Sequence, residues 1–210
     1  MRAQPGTKVL LIDLGNVVIQ DPRPLIVPEI LRRHRVDPVR IWKAYYRVAL
    51  RMAAGSLGLR EAYRELRTRF RWSMTYREFR ELVGRWSLRA VPGVVSALRA
   101  LHRKGTVRIV YASNVEPATW DGLRRKYRLD ECADGAALSF RLRSLKPARR
   151  FFRAAIRIAR VPPAAIFYLD DLPENIRAAR ALGIRGRRVR SPEDTLEVLG
   201  KLSAGRSLVG

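Results

Sequence analysis

A chain of 210 residues with 47% apolar and 30% charged residues has the balance of a globular fold, not a disordered one, and is long enough for one domain with a small insert. Lys and Arg number 43 against 19 Asp and Glu, a formal +24 in which only six of the basic residues are lysine, and such a charge implies attraction to nucleic acid, anionic surfaces or phosphorylated ligands. The single cysteine, Cys132, excludes an internal disulfide, and no apolar run reaches membrane-spanning length.

The first element is carried by Lys8, Val9, Leu10, Leu11 and Ile12, an apolar run without alternation that reads as a strand buried on both faces of a parallel sheet. It ends in Asp13, at the carboxyl end of the strand, where open α/β sheets place their ligands. The start, Met1 to Gly6, leads directly into this strand and leaves no room for the apolar segment of a signal peptide, and with a single cysteine a cytoplasmic or other reducing compartment is expected. Residues 25–87 then change character. Residues 25–33 form a short helix candidate. Asp37 caps a helix that Pro38 opens, with Val39, Trp42, Tyr46 and Leu50 at helical spacing. Gly55 to Gly58 break it. Leu59, Tyr63, Leu66 and Phe70 mark the next helix, and Phe79, Leu82, Val83 and Trp86 the one after, opened by a Thr75–Glu78 capping box. Trp42 and Trp86 are expected in the core of this helical insert.

Regular alternation resumes at Pro92-Gly93. Helices are expected over 94–103, 119–127, 174–182 and 194–202, and another opened by Pro147. Strands are expected over 107–112, within 134–142, over 165–169 and, more weakly, over 184–189. Gly105 and Gly183 stand at helix ends. This pattern predicts an α/β fold with a Rossmann-like parallel sheet and helices on both sides.

Three strand ends carry polar groups: Asp13, Ser113 and the pair Asp170-Asp171. Lys146 stands at the entrance to a helix. A parallel sheet brings these positions together despite their separation in sequence. The set holds a carboxylate able to attack phosphorus, a hydroxyl to hold a phosphate oxygen, a cation to pair with it, and further carboxylates for a hard divalent metal such as Mg2+.

The whole arrangement resembles the haloacid dehalogenase superfamily over nearly the entire chain. Leu11-Ile12-Asp13-Leu14-Gly15-Asn16-Val17 is similar to the first motif and Val110-Tyr111-Ala112-Ser113-Asn114 to the second. Lys146-Pro147 resembles the third. The run from Phe167 through Leu169-Asp170-Asp171 to Asn175-Ile176, followed by Ala178-Ala179 and Gly183-Ile184, resembles the fourth. The first motif is nearest to the bacterial sugar-phosphate phosphatase branch, whose members often read Asp-Leu-Gly-Asn-Val. The resemblance implies a catalytic core over 1–20 and 88–210, with 21–87 as a small helical cap inserted after the first strand. It implies Asp13 as nucleophile, Ser113 on a phosphate oxygen, and Lys146 paired with nucleophile and phosphate. Asp13, the Gly15 carbonyl and Asp170 would bind Mg2+, with Asp171 orienting a metal-bound water and Asn114 and Asn175 behind them.

Three positions depart from the family pattern. Gly15 stands where most family phosphatases carry a second aspartate as general acid and base, and glycine transfers no proton. Arg143 replaces the usual glycine before the lysine, and Ala148 an acidic residue after it. The activity implied is Mg2+-dependent hydrolysis of a small phosphorylated metabolite through a phosphoaspartate at Asp13. Dehalogenation is a variant, because attack at carbon needs no leaving-group acid. The alternative from another class is a catalytically weak scaffold that binds RNA or joins a ribonucleoprotein. Its basic contacts would be drawn from Arg32, Arg33, Arg124, Arg125, Arg149, Arg150, Arg187 and Arg188. His34, His102 and Cys132 are read as structural or exposed.

Overall fold

The computed structural model describes residues 8–20, 37–86, 89–206 and 208. The helix expected over 25–33, with Arg32, Arg33 and His34, lies outside the described residues, as does the Trp86 side chain. Five strands form one all-parallel sheet in the order β3-β2-β1-β4-β5: β1 (Val9–Ile12), β2 (Arg108–Ser113), β3 (Gly135–Leu138), β4 (Ile166–Asp170) and β5 (Arg185–Arg188). β1 is central and all four of its residues are buried, which is why its sequence lacks alternation.

Alternate side chains of β1 feed two separate apolar clusters. Leu10 and Ile12 pack on one face with α4 (Val94–Lys104), α5 (Pro117–Tyr127) and α9 (Pro192–Ser203), through Val94, Leu98, Trp120 and Val198. Val9 and Leu11 pack on the other with α7 (Arg149–Ala159) and α8 (Pro173–Arg180), through Phe151, Phe152, Ile176 and Ala179. The result is the three-layer, helix–sheet–helix architecture expected from the alternating pattern. A one-turn helix, α6 (Ser139–Leu142), follows β3 directly.

Between β1 and α4 lie α1 (Pro38–Ala53), α2 (Leu59–Phe70) and α3 (Tyr76–Trp86), which share a third cluster of their own. Asp37 caps α1 by accepting from the amides of Val39 and Arg40, and Thr75 and Glu78 exchange the reciprocal bonds of a capping box at α3. The buried face of α1 differs from the expected stripe. Ile41, Ala44, Val48 and Met52 point inward, whereas Val39 and Tyr46 are exposed and Trp42 is only partly covered. Two apolar stripes coexist on this helix. Packing against α2 selects the slimmer one, since Ala44 permits a closer approach than a tryptophan.

Candidate active site

Parallel strands end at the same edge of the sheet, so three distant segments deliver polar groups to one place. The β1–β4 register pairs Ile12 with Leu169, and the Asp13 amide donates to the Leu169 carbonyl at 2.9 Å, so Asp13 and Asp170 stand level, each one residue further on. Ser113 closes the neighbouring strand β2, and its hydroxyl makes no hydrogen bond among the described residues. Lys146 comes from the loop after α6. Asn114 holds that loop by its main chain: the Lys146 amide donates to Asn114 Oδ1 at 2.8 Å, and Asn114 Nδ2 donates to the Lys146 carbonyl at 3.0 Å. The Lys146–Pro147 peptide is cis.

Asp13, Lys146 and Asp170 are all buried. The Lys146 ammonium bridges the two carboxylates, 2.8 Å from Asp13 Oδ1 and 2.7 Å from Asp170 Oδ2. Asp13 Oδ1 also accepts from the Leu14 amide at 2.7 Å, while its Oδ2 accepts no hydrogen bond among the described residues. Asp170 is more heavily bonded. The Leu172 amide reaches its Oδ1 at 2.8 Å, Asn175 Nδ2 lies 2.9 and 3.0 Å from its two oxygens, and the Tyr168 hydroxyl donates to Oδ2. Asp171 is half-buried and accepts from Asn16 Nδ2 at 2.8 Å.

These surroundings set the charges. Burial drives the Asp13 carboxyl up to about 7; Lys146 pulls against that rise, and the neighbouring Asp170 charge adds to it. Burial alone would lower the Lys146 ammonium, but Asp13 and Asp170 outweigh it and raise it, so the lysine remains a cation. Burial also raises Asp171, opposed by the Asn16 hydrogen bond. Carboxylate oxygens of Asp13, Asp170 and Asp171 lie within 4.8 Å of one another. Three carboxylates and one ammonium leave a formal −2. An all-oxygen donor set with that residual charge fits a hard divalent cation such as Mg2+.

The structure therefore brings together Asp13, Lys146, Asp170, Asp171, Asn114 and Asn175 by direct contacts, and Ser113 by strand register. Gly15 lies in the turn after β1, which the Ile19 amide closes onto the Leu14 carbonyl at 2.8 Å. Gly15 itself is exposed. Two further partners were not singled out from the sequence. Tyr168 meets Asp170 because residues i and i+2 of a strand share a face, a signal present in the strand assignment itself. Asn16 reaches Asp171 from a left-handed backbone conformation, φ 55°, which asparagine tolerates better than most residues. His102 lies 3.6 Å from Asp134, away from these groups, and Cys132 is buried.

Known proteins agree with this architecture. Residues 7–183 match the haloacid dehalogenase-like hydrolase family model. No curated protein matches the sequence. Among solved structures, a haloacid dehalogenase family enzyme from Bacteroides thetaiotaomicron superposes with TM-score 0.78 at 20% identity, over 92% of this chain and 98% of that one. The wild-type form of that enzyme in complex with magnesium and inorganic phosphate gives TM-score 0.73 at 20% identity, over 89% and 96% of the two chains. A predicted HAD-like family hydrolase from Porphyromonas gingivalis gives 0.79 at 19% identity, over 94% and 98%. The L-2-haloacid dehalogenase of Xanthobacter autotrophicus, with chloropropionic acid covalently bound, gives 0.65 at 14% identity, over 97% and 85%. At these identities the likeness carries the fold, and the family match spans most of the chain: this protein belongs to the haloacid dehalogenase-like hydrolases.

Proposed function

We propose that this chain is a Mg2+-dependent phosphomonoesterase acting on a small phosphorylated metabolite, close to the sugar-phosphate phosphatase branch. The observation that carries this reading is the cluster of three carboxylates at the carboxyl ends of β1 and β4, two of them bridged by the buried Lys146. Asp13 Oδ1 is anchored by the Leu14 amide and Lys146, which leaves Oδ2 for attack. In the first step Oδ2 forms a bond to phosphorus as the ester P–O bond breaks, and the leaving alcohol takes its proton from solvent, since Gly15 has none to give. In the second, water attacks the phosphoaspartate, releasing orthophosphate and regenerating the Asp13 carboxylate. Ser113 donates to a phosphoryl oxygen, and Lys146 offsets the charge that develops on it. Asp13, the Gly15 carbonyl, Asp170 and Asp171 are the groups that would hold Mg2+, which when bound would supply further neutralisation of phosphoryl charge.

Within this reading, residues 1–20 and 88–210 are the catalytic core and 21–87 the cap that selects the substrate and excludes water. The lone cysteine is consistent with a reducing, cytoplasmic setting. Dehalogenation is less favoured, because attack at carbon gives no use to a cluster that carries a residual −2. The RNA or ribonucleoprotein reading rests on net charge. Of the arginines it draws on, Arg124 pairs with Asp130 at 3.2 Å, Arg187 with Asp194 and Glu197 at 2.7 and 2.8 Å, and Arg188 Nε donates to the Asp171 carbonyl at 2.9 Å. The test is a panel of sugar phosphates, nucleoside monophosphates and phosphorylated acids assayed with Mg2+, with 2-chloropropionate alongside. Turnover of phosphate esters that EDTA and Asp13→Asn both abolish is the expected result. No turnover, or turnover unchanged in Asp13→Asn, overturns the mechanism.

A further inference from the structure

We infer that the cavity at the C-terminal end of α2 is a binding site for a diphosphate group, separate from the Asp13 cluster. The cavity has a volume of about 400 Å3 and is lined by Arg64, Arg67, Thr68, Arg71 and Trp72. That volume lies within the range of small-ligand sites, roughly 300–1,000 Å3. It shares no lining residue with the carboxylate cluster.

The placement of the three arginines follows from the last turns of α2 and its cap. Arg64 and Arg67 stand one turn apart on one face of α2, and Arg71, just past its last residue, joins them on the lining, about 10 Å along the axis from Arg64 at 1.5 Å per residue. Arg71 closes α2 with a left-handed backbone, φ 49°, and turns the chain back so that Trp72 forms the wall. Trp72 is buried, its amide donates to the Arg67 carbonyl at 3.1 Å, and its ring stacks on Phe70 at 5.8 Å. The wall is therefore held in place.

Among the described residues the charge in this cavity is unneutralised. Both acids of α2 are committed elsewhere: Glu61 accepts from the Gly58 amide at 2.8 Å, and Glu65 pairs with Arg51 at 2.6 Å. None of Arg64, Arg67 and Arg71 makes an ion pair among the described residues. Like charges one turn apart repel by a few tenths of a kcal/mol per pair. The helix dipole favours cations at this end, but that effect fades beyond the last turn, so it leaves Arg64 unexplained.

Guanidinium forks match tetrahedral oxyanions with paired N–H donors, and Thr68 adds a hydroxyl. Three guanidinium charges without an ion pair exceed the charge of one orthophosphate, between about −1 and −2 near neutral pH, and match a diphosphate, at about −3. The Trp72 ring is too buried to stack on a base, so the recognised element is the diphosphate itself, whether free or as the end of a nucleotide.

The experiment is isothermal titration of the full chain in metal-free buffer containing EDTA, with inorganic pyrophosphate, ADP and orthophosphate as probes. Expected are saturable binding of pyrophosphate, ADP no tighter than pyrophosphate, and orthophosphate about tenfold weaker than either. Arg64→Gln/Arg67→Gln/Arg71→Gln weakens pyrophosphate binding by at least about tenfold. The matched control is Arg153→Gln/Arg157→Gln/Arg160→Gln, which removes equal charge from the exposed face of α7 at similar spacing and retains wild-type affinity. The single variant Arg67→Glu provides the same readout should the triple variant unfold. Absence of saturable binding by the wild type, or equal loss in both triple variants, overturns the proposal. ADP binding far tighter than pyrophosphate overturns the assignment to the diphosphate.

Discussion

Gly15 and Asn16 occupy one turn after β1 and make opposite demands on it. Asn16 takes a left-handed backbone and uses its side chain to hold Asp171 at 2.8 Å. Gly15 has no positive φ, and among the described residues nothing lies within 4 Å of where its Cβ would be. Its backbone does not require glycine. Gly15→Asp is therefore expected to fold normally and to place a carboxyl beside the leaving oxygen of a phosphate ester. General acid catalysis is worth about 10²–10⁴ when optimally placed, so a gain in kcat of about tenfold, with KM little changed, is the expected outcome for a side chain without evolved support. Steady-state kinetics on the best ester of the panel measure it. A fall in kcat would place the limit at a step other than protonation of the leaving alcohol.

At the scale of elements, arginine takes on a task usually given to glycine. Arg71, Arg128, Arg143 and Arg160 close α2, α5, α6 and α7 with φ between 46° and 54°. Arg143 is the position where the family pattern has glycine, and its conformation gives the reason for that preference. A left-handed L-residue costs about 1–2 kcal/mol, part of which glycine gives back through its larger unfolded-state entropy. Arg160 is exposed and its amide already caps α7 at 3.1 Å. Arg160→Gly should raise stability by about 0.5–1 kcal/mol and Tm by about 2 °C in thermal unfolding. The junction of β5 and α9 behaves differently. Arg187 bonds both Glu197 and Asp194. The Glu197 carboxyl is held down to about 2, first by Arg187 and then by Lys201, and Asp194 is lowered by the Arg190 amide and by Arg187. A carboxyl depressed in the folded state contributes stability above its unfolded value, near 4.5 for Glu, and loses it as pH falls through the folded value. Tm should therefore decline between about pH 4.5 and about pH 2, and Arg187→Gln should have the lower Tm at neutral pH and the shallower decline.

At the scale of the molecule, the helical insert and the sheet meet at Ser139. Its buried hydroxyl donates to the Ala53 carbonyl at the end of α1 at 2.6 Å and accepts from the Val115 amide at 3.1 Å, just past Ser113 and Asn114. Gly55 backs this contact: with φ 71°, a Cβ there would stand 3.1 Å from the Phe140 carbonyl oxygen. The link connects the α1–α3 cluster to the loop that holds Lys146. Removing the hydroxyl leaves a buried carbonyl and a buried amide without their partner, which costs about 1–3 kcal/mol. Ser139→Ala should lose about 2 kcal/mol in urea unfolding and show faster proteolysis within residues 37–86. A variant that unfolds as the wild type does would mean the insert is held by apolar contact alone.

The sequence by itself determined the parallel sheet and the ends of its strands. A both-faces-buried strand must be a continuous apolar run, and its polar terminus must then lie at the carboxyl edge, so Asp13, Ser113 and Asp170-Asp171 are legible as one edge in the chain alone. Lys146 was legible only through its motif, because a loop lysine has no periodicity to betray it. Tertiary structure alone decided the rest. Asn114 grips the Lys146 main chain across 32 positions, and Asn16 finds Asp171 across 155, contacts that depend on loop paths that local propensity does not encode. The buried face of α1 was decided the same way. Val39, Trp42 and Tyr46 and the row of Ile41, Ala44, Val48 and Met52 both satisfy a 3.6-residue period, and only the neighbour that packs against the helix chooses between them.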